Sequence, residues 1–546
     1  MKARIRHAAA VALSAAALLA APAVRAWDWT YPGSVAWQYR VAYETVKDKK
    51  GQDVVHRASV WLPPGVETVR AVYLSQTLGI EGELQLDPAV RQACYDSGIA
   101  IVRIERLSRT FQYWKEGNRD GERLLHALDV IARDAGHPEL RRVPWITAGH
   151  SIDGIFCRNA AYWKPDRVAA IVHIKSGNFH QKNSKPPEGT LEGIPLVAIN
   201  GQLETYGPET GIDPEWGRET QWVYMRKDIW QFKEQSPNYL MSTLVQPGDD
   251  HFNSAPELGA YVALFLRKTA RYRLPEAIPA GDDPVKPLPL KVEDGWLTDA
   301  DLHNPRHPAA AYAAYTGDKA KAMWHYDREL ALANEAFHRN LGKHQVIDNP
   351  AGTWLDEGDG WTFRAKSAWL ATGPEKFGGK IGNQPVSHAD TPFIYRARQT
   401  DPVVQTGPDT FRALRLPGGK NPAFSIGAYH PGDASFRATY RWGSIGVPQV
   451  KGAAQSIDFP AVGDVKADAK AVPLKAKASS GLPVWYEVDY GPVVVSADGA
   501  LSVADLPAQA QFPIACSVTA YQVGRRIGDI VQPAAAATAT FDVVAP

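Results

Sequence analysis

The reading turns on Val143-Pro144-Trp145-Ile146-Thr147-Ala148-Gly149-His150-Ser151-Ile152-Asp153-Gly154-Ile155-Phe156. A short apolar run, Trp145 to Ala148, meets Gly149-His150-Ser151, and a second apolar stretch follows. The pattern predicts a buried strand, a tight turn and a helix. A serine in such a turn is lifted clear of the sheet, with helix N-terminal amides beside it. Backbones pack closely around the turn, so small residues are needed there. Gly149 meets that need two residues before the serine. Two residues after it stands Asp153, where Gly is usual, and Gly154 comes one place later. The departure admits three readings: a slightly wider turn, a second carboxylate near the pocket, or an accidental motif.

What gives the stretch weight is the order of residues beyond it. A serine activated in this way needs a base, and the base needs an orienting acid. Both are expected at the C-terminal ends of later strands. The apolar run Pro195 to Ile199 leads into Asn200-Gly201-Gln202-Leu203-Glu204, and Leu240 to Val245 leads into Gln246-Pro247-Gly248-Asp249-Asp250-His251. Ser151, Glu204 and His251 are therefore the candidate nucleophile, acid and base. Asp153 is a rival acid. Asp249 and Asp250 are expected on the loop surface, because adjacency in sequence does not deliver an orienting carboxylate. His180, after another strand, is a candidate substrate contact.

The surrounding pattern predicts the fold. Tyr39–Tyr43 and Val55–Leu62 alternate apolar and polar residues across a polar turn, as a hairpin does. Short apolar runs then recur at Val72–Leu74, Ile99–Val102, Trp145–Ala148, Ala169–Val172, Pro195–Ile199 and Leu240–Val245. Strands buried on both faces look like this. Gly121–Ala135 and Glu257–Lys268 carry apolar residues at helical spacing. Two antiparallel strands followed by repeated strand–helix units make an α/β sheet with helices on both faces. This unit is assigned to 27–274 and a stiff Pro-rich linker to 275–291. A mixed, mainly β middle domain is assigned to 292–454, with one helix over Asp318–Asn340. The remaining 455–546 shows short β-prone runs and turns at roughly ten-residue spacing, as in a small β-sandwich.

At these residues the chain resembles a secreted serine α/β-hydrolase of the esterase kind, on Gly149-His150-Ser151-Ile152-Asp153-Gly154, Gly201-Gln202-Leu203-Glu204 and Gly248-Asp249-Asp250-His251. The likeness covers a little under half the chain. From Ser479-Ser480-Gly481-Leu482-Pro483-Val484 onward the chain is similar to bacterial immunoglobulin-like modules. The first resemblance implies cleavage of a carboxylic ester. Ser151 would attack, His251 would take its proton and Glu204 would hold the imidazole. The oxyanion would accept amides from Ile152 and from the turn after the third strand, where Gln76 is assigned. Tryptophan faces stack on sugar rings and aromatic esters, so Trp114, Trp216 and Trp222, with Trp230, are candidate substrate contacts.

Composition sets the outer bounds. The chain has 546 residues, 45% of them hydrophobic, enough for two to four domains. A net charge of +1 argues against a nucleic-acid partner held by a broad basic surface. Lys2, Arg4 and Arg6 precede an apolar run from Ala8 to Ala21 and a small-residue site ending at Ala26. This reads as a signal peptide over 1–26, too short to span a bilayer, and places the protein outside the cell or in a periplasm. Cys94, Cys157 and Cys516 fit no zinc spacing and are expected as buried free thiols, with one disulfide as the alternative. No H-E-x-x-H or comparable ligand cluster occurs, so no metal or other cofactor is expected. The leading expectation is an esterase acting on an acylated or feruloylated carbohydrate. The alternatives are a polyester depolymerase or peptidase, and a non-catalytic binding protein on the same scaffold.

Overall fold

The computed structural model describes residues 35–76, 79–105, 119–177, 179, 189–205, 211–213, 217–302, 305–338 and 342–546. The signal-peptide assignment and the positions of Trp114, His180 and Trp216 lie outside the described residues. The N-terminal half is built on one eight-stranded sheet. Its strands are β1 (Tyr39–Lys47), β2 (Asp53–Trp61), β3 (Ala71–Gln76), β4 (Ile99–Ile104), β5 (Trp145–His150), β6 (Val168–Ile174), β7 (Leu196–Gly201) and β8 (Met241–Gln246). The spatial order is β1-β2-β4-β3-β5-β6-β7-β8. The β1–β2 hairpin is antiparallel, β2 meets β4 antiparallel, and β3 to β8 all run parallel. That order and sense define the α/β-hydrolase fold, here over a little under half the chain.

The apolar runs explain why both faces are covered. Alternate side chains of one strand point to opposite faces. Val72 and Leu74 of β3 join Leu124, Leu128 and Ile131 of α3 (Asp120–Asp134) and Phe156 of α4 (Gly154–Trp163). Ala71 and Tyr73 face the other way, toward Val90 of α2 (Pro88–Ser97) and Leu258, Val262 and Phe265 of α6 (Glu257–Arg273). Two further helices, α1 (Ile80–Leu86) and α5 (Gln221–Gln235), follow β3 and precede β8. The three cysteines are free and buried.

Residues 292–338 do not form the long helix expected over 318–340. Met323–His325 is a strand, and within 318–338 only α7 (Arg328–His338) is helical. A strand turns Met323 and Trp324 to opposite sides, where each joins a different core. Leu297, Trp324, Tyr326, Leu330 and Ala333 share a core with α2 and α6, so this segment extends the hydrolase half. Helix α7 also closes the free edge of the sheet. Asn334 Nδ2 donates to the Thr243 carbonyl at 2.8 Å, and His338 Nε2 accepts from the Val245 amide at 2.7 Å.

The rest is β-rich. Strands Ala351–Trp354, Thr362–Lys366, Val403–Gln405 and Thr410–Ala413 form one sheet. Strands β9 (Ile394–Ala397), β10 (Ala423–His430) and β11 (Thr439–Gly446) form another. Trp361, Phe363, Phe411, Phe424 and Ile426 make their common core. Beyond residue 455 a four-stranded sheet, including Trp485–Tyr490, Ile514–Tyr521 and Ala537–Val544, accompanies a three-stranded one. Among the described residues no helix is long and apolar enough to cross a membrane.

Candidate active site

Ser151 follows the last residue of β5 and sits at φ 54°, in the left-handed region that costs a side chain of order 1–3 kcal/mol. A short 3-10 turn, Ser151–Asp153, then passes into α4. The two glycines explain why the turn closes. A Cβ on Gly149 would stand 2.0 Å from the Asp153 carbonyl oxygen. A Cβ on Gly154 would stand 2.2 Å from Ser176 Oγ, just beyond β6. Gly154 thus supplies the close helix–sheet approach one place late, and Asp153 is buried at the start of α4.

Chain order places Glu204 just after β7 and His251 on the loop between β8 and α6, and the parallel strands bring both to Ser151. His251 Nε2 lies 2.8 Å from Ser151 Oγ, and His251 Nδ1 lies 2.6 Å from Glu204 Oε1. With Nδ1–H donating to the carboxylate, Nε2 is left to accept the serine proton. Glu204 is fully buried. Its Oε2 accepts from Asn200 Nδ2 at 3.1 Å and from the Gly201 amide at 3.2 Å. The Gln221 carboxamide, with its nitrogen turned inward, donates to both carboxylate oxygens at 2.5 and 3.1 Å. A buried carboxylate without such donors would be costly, and these also fix its orientation.

The histidine loop is held through its backbone carbonyls. Six successive carbonyls, from Asp249 to Ser254, each accept a hydrogen bond from outside the loop. The Leu203 amide takes Asp249 at 2.7 Å. Lys175 Nζ takes Asp250 at 2.5 Å and also Asn253. His150 Nε2 takes His251 at 2.8 Å. Arg398 Nη2 takes Phe252, and Arg396 Nη2 takes Ser254, each at 2.9 Å. Lys175 is fully buried at φ 42°. Burial pulls the His150 imidazole down to about 3, so it stays neutral and donates through Nε2. Asp249 is fully buried, contrary to the expected surface position, and Oδ2 accepts from the Ala255 amide at 3.0 Å. Burial pushes its carboxyl up to about 6, with Lys175, 3.9 Å away, opposing. Nothing local in the sequence distinguishes Lys175, Arg396 or Arg398; their partners lie 75 or more residues away.

The remaining candidates divide. Ile152 begins the turn after the serine, where helix N-terminal amides face the site. Gln76 closes β3, and neither of its buried amide atoms has a hydrogen-bond partner among the described residues. Trp222, expected at the substrate surface, is instead a core residue of α5. It is fully buried among Val223, Val245 and Leu302, and Nε1 donates to Asp213 Oδ2 at 3.0 Å. It has no face left for a ligand. Trp230 donates to the Lys321 carbonyl at 2.8 Å, against the 292–338 segment. Among the described residues no group of three or more His, Cys, Asp or Glu is placed to hold a metal ion.

No family model matches the chain, and no curated protein does. Solved structures resemble it distantly. A serine hydrolase without a lid from Xanthomonas campestris is 16% identical, over 44% of this chain and 97% of its own, with a TM-score of 0.28. A hyperthermophilic esterase from the archaeon Pyrobaculum calidifontis is 14% identical, over 49% and 93%, at 0.28. The poly(3-hydroxybutyrate) depolymerase LpqC from Bordetella parapertussis is 16% identical, over 44% and 93%, at 0.29.

Proposed function

We propose that this chain is a serine hydrolase that cleaves a carboxylic ester through an acyl-enzyme. The observation that carries the reading is the chain of contacts Ser151 Oγ–His251 Nε2–Glu204, at 2.8 and 2.6 Å, with Ser151 held at positive φ. Ser151 Oγ bonds to the ester carbonyl carbon while its proton passes to His251 Nε2. The oxyanion accepts the Ile152 amide and a second donor near Gln76. The carbon–alkoxy bond then breaks, and His251 returns the proton to the leaving alcohol. Water attacks the acyl-serine, gives its proton to His251, and the acid departs as Ser151 is restored. Glu204 holds Nδ1–H and stabilises the imidazolium.

The substrate proposed is an acylated or feruloylated carbohydrate, met outside the cell or in a periplasm after removal of residues 1–26. The basic–apolar–small N-terminal pattern and the β-rich C-terminal half support this reading. The experiment is p-nitrophenyl acetate hydrolysis and fluorophosphonate labelling by the chain from Trp27 onward, with Ser151→Ala beside it. Turnover and label in the wild type, both lost in the variant with its circular dichroism unchanged, support the mechanism. Turnover retained in Ser151→Ala overturns it. Absence of both in the wild type favours a binding protein on this scaffold. A panel of acetylated and feruloylated saccharides against polyester and peptide then tests the substrate.

A further inference from the structure

Two of the five donors that hold the histidine loop come from the β-rich half. Arg396 lies in β9 and Arg398 directly after it. Each is itself fixed. The Arg396 guanidinium lies 5.7 Å from the Tyr440 ring centroid, and Nε is 3.5 Å from Tyr440 Oη. The Arg398 guanidinium lies 5.0 Å from the Trp442 ring centroid and 3.5 Å from Glu83 Oε1 on α1. Tyr440 and Trp442 both belong to β11, in the same sheet as β9. A sheet thus presents two charged donors at a set spacing, to the carbonyls of Phe252 and Ser254. Phe252 follows His251 directly, and its ring meets the imidazole edge-on at 4.6 Å. The same half reaches the acid turn: the Leu203 side chain is buried with Val346, Phe377 and Ile381.

We infer that Arg396 and Arg398 are positioning residues for His251, so that the hydrolytic site is completed by the second half of the chain. The inference rests on the serine hydrolase reading. Pro247 to Ser254 contains no helix or strand, so its conformation depends on what its carbonyls meet. Charge-assisted donors from a sheet supply fixed points there. Without them the imidazole keeps its Glu204 partner but loses its fixed angle to Ser151. Substrate contacts are untouched, so the effect falls on kcat.

The test uses the full chain with Arg398→Ala, Arg398→Lys and the Arg396→Ala/Arg398→Ala pair. Arg412→Ala is the control; this residue pairs with Asp359 in the neighbouring sheet, away from the loop. The expected result is a kcat for p-nitrophenyl acetate lower by roughly 10- to 100-fold in Arg398→Ala, with KM within about 2-fold. Arg398→Lys recovers most of it, and Arg412→Ala changes nothing. Hydrogen–deuterium exchange of a peptide spanning residues 247–256 quickens in the alanine variants, while peptides of β5 do not change. Arg398 is the more exposed of the pair, so its variant carries the test if the double variant fails to fold. Wild-type kcat and wild-type exchange in Arg398→Ala would overturn the inference and leave the hydrolase reading standing. A wild type that neither turns over nor labels removes the hydrolase reading; exchange of 247–256 then still reports whether the arginines hold the loop.

Discussion

Replacing Lys175 with methionine removes the one donor that grips the histidine loop at two points. The side chain is fully buried, and Nζ serves the carbonyls of Asp250 and Asn253, on either side of His251. Methionine fills similar space without a donor. Each carbonyl left unpaired away from water costs about 1–3 kcal/mol, so the pair sums to roughly 2–6 kcal/mol. Relief from no longer burying an ammonium offsets part of this. Asp249 loses the cation 3.9 Å from its carboxylate, and its carboxyl, already near 6, moves higher. Lys175→Met should therefore unfold at clearly lower urea concentration and turn over p-nitrophenyl acetate at least about 10-fold more slowly. The assays are urea unfolding followed by tryptophan fluorescence, and kcat at pH 7. A variant matching wild type in both would refute the claim that this lysine holds the loop.

Gly149→Ala should destabilise the chain and abolish most turnover, because the new Cβ would stand 2.0 Å from a backbone oxygen that cannot swing aside; overpacking alone costs about 1–3 kcal/mol, read in the same unfolding assay. Trp222→Ala should cost about 3–5 kcal/mol of stability as a core truncation, with KM unchanged in the protein that folds; a raised KM would return this residue to the substrate surface. Asp249, raised to about 6 from an ordinary 3.8, keeps a proton that the unfolded chain releases. Its contribution is full below pH 3.8 and lost as pH rises through 6, roughly 3 kcal/mol at 1.36 kcal/mol per pH unit. Asp249→Asn should gain stability over wild type above pH 6, and the gain should vanish near pH 4. His150, His173 and His325, each held near 3 by burial, act the other way: their contribution is present above pH 6.5 and lost as pH falls toward 3. Unfolding of the wild type across pH 3–8 should show that acid loss.

The α/β sheet was legible because six of its strands are buried on both faces and announce themselves as apolar runs. The alternation with helices implied an α/β sheet covered on both faces, whereas the placing of β4 between β2 and β3 has no local sign. Ser151, Glu204 and His251 were legible for a related reason: each lies within a few residues of a strand's C-terminal end, so strand position alone brings them together. Local pattern failed where partners are distant. Trp222 offered no sign that Asp213 would take its indole N–H inside the core. Asp249 looked like a loop residue until the Leu203 amide and Lys175 closed over it. The 318–340 stretch has helical composition throughout, yet Met323–His325 is drawn into a three-stranded sheet by its pairing with Trp296–Thr298.

Helix α7 has a consequence for assembly. A parallel sheet that ends in an open strand offers a row of amides and carbonyls to any other strand, including the same strand of a second copy. Along β8 that row is already taken at Thr243 and Val245 by Asn334 and His338. Two copies therefore cannot join their sheets through β8 into one continuous sheet. Self-association of this chain therefore does not run through backbone pairing at this edge.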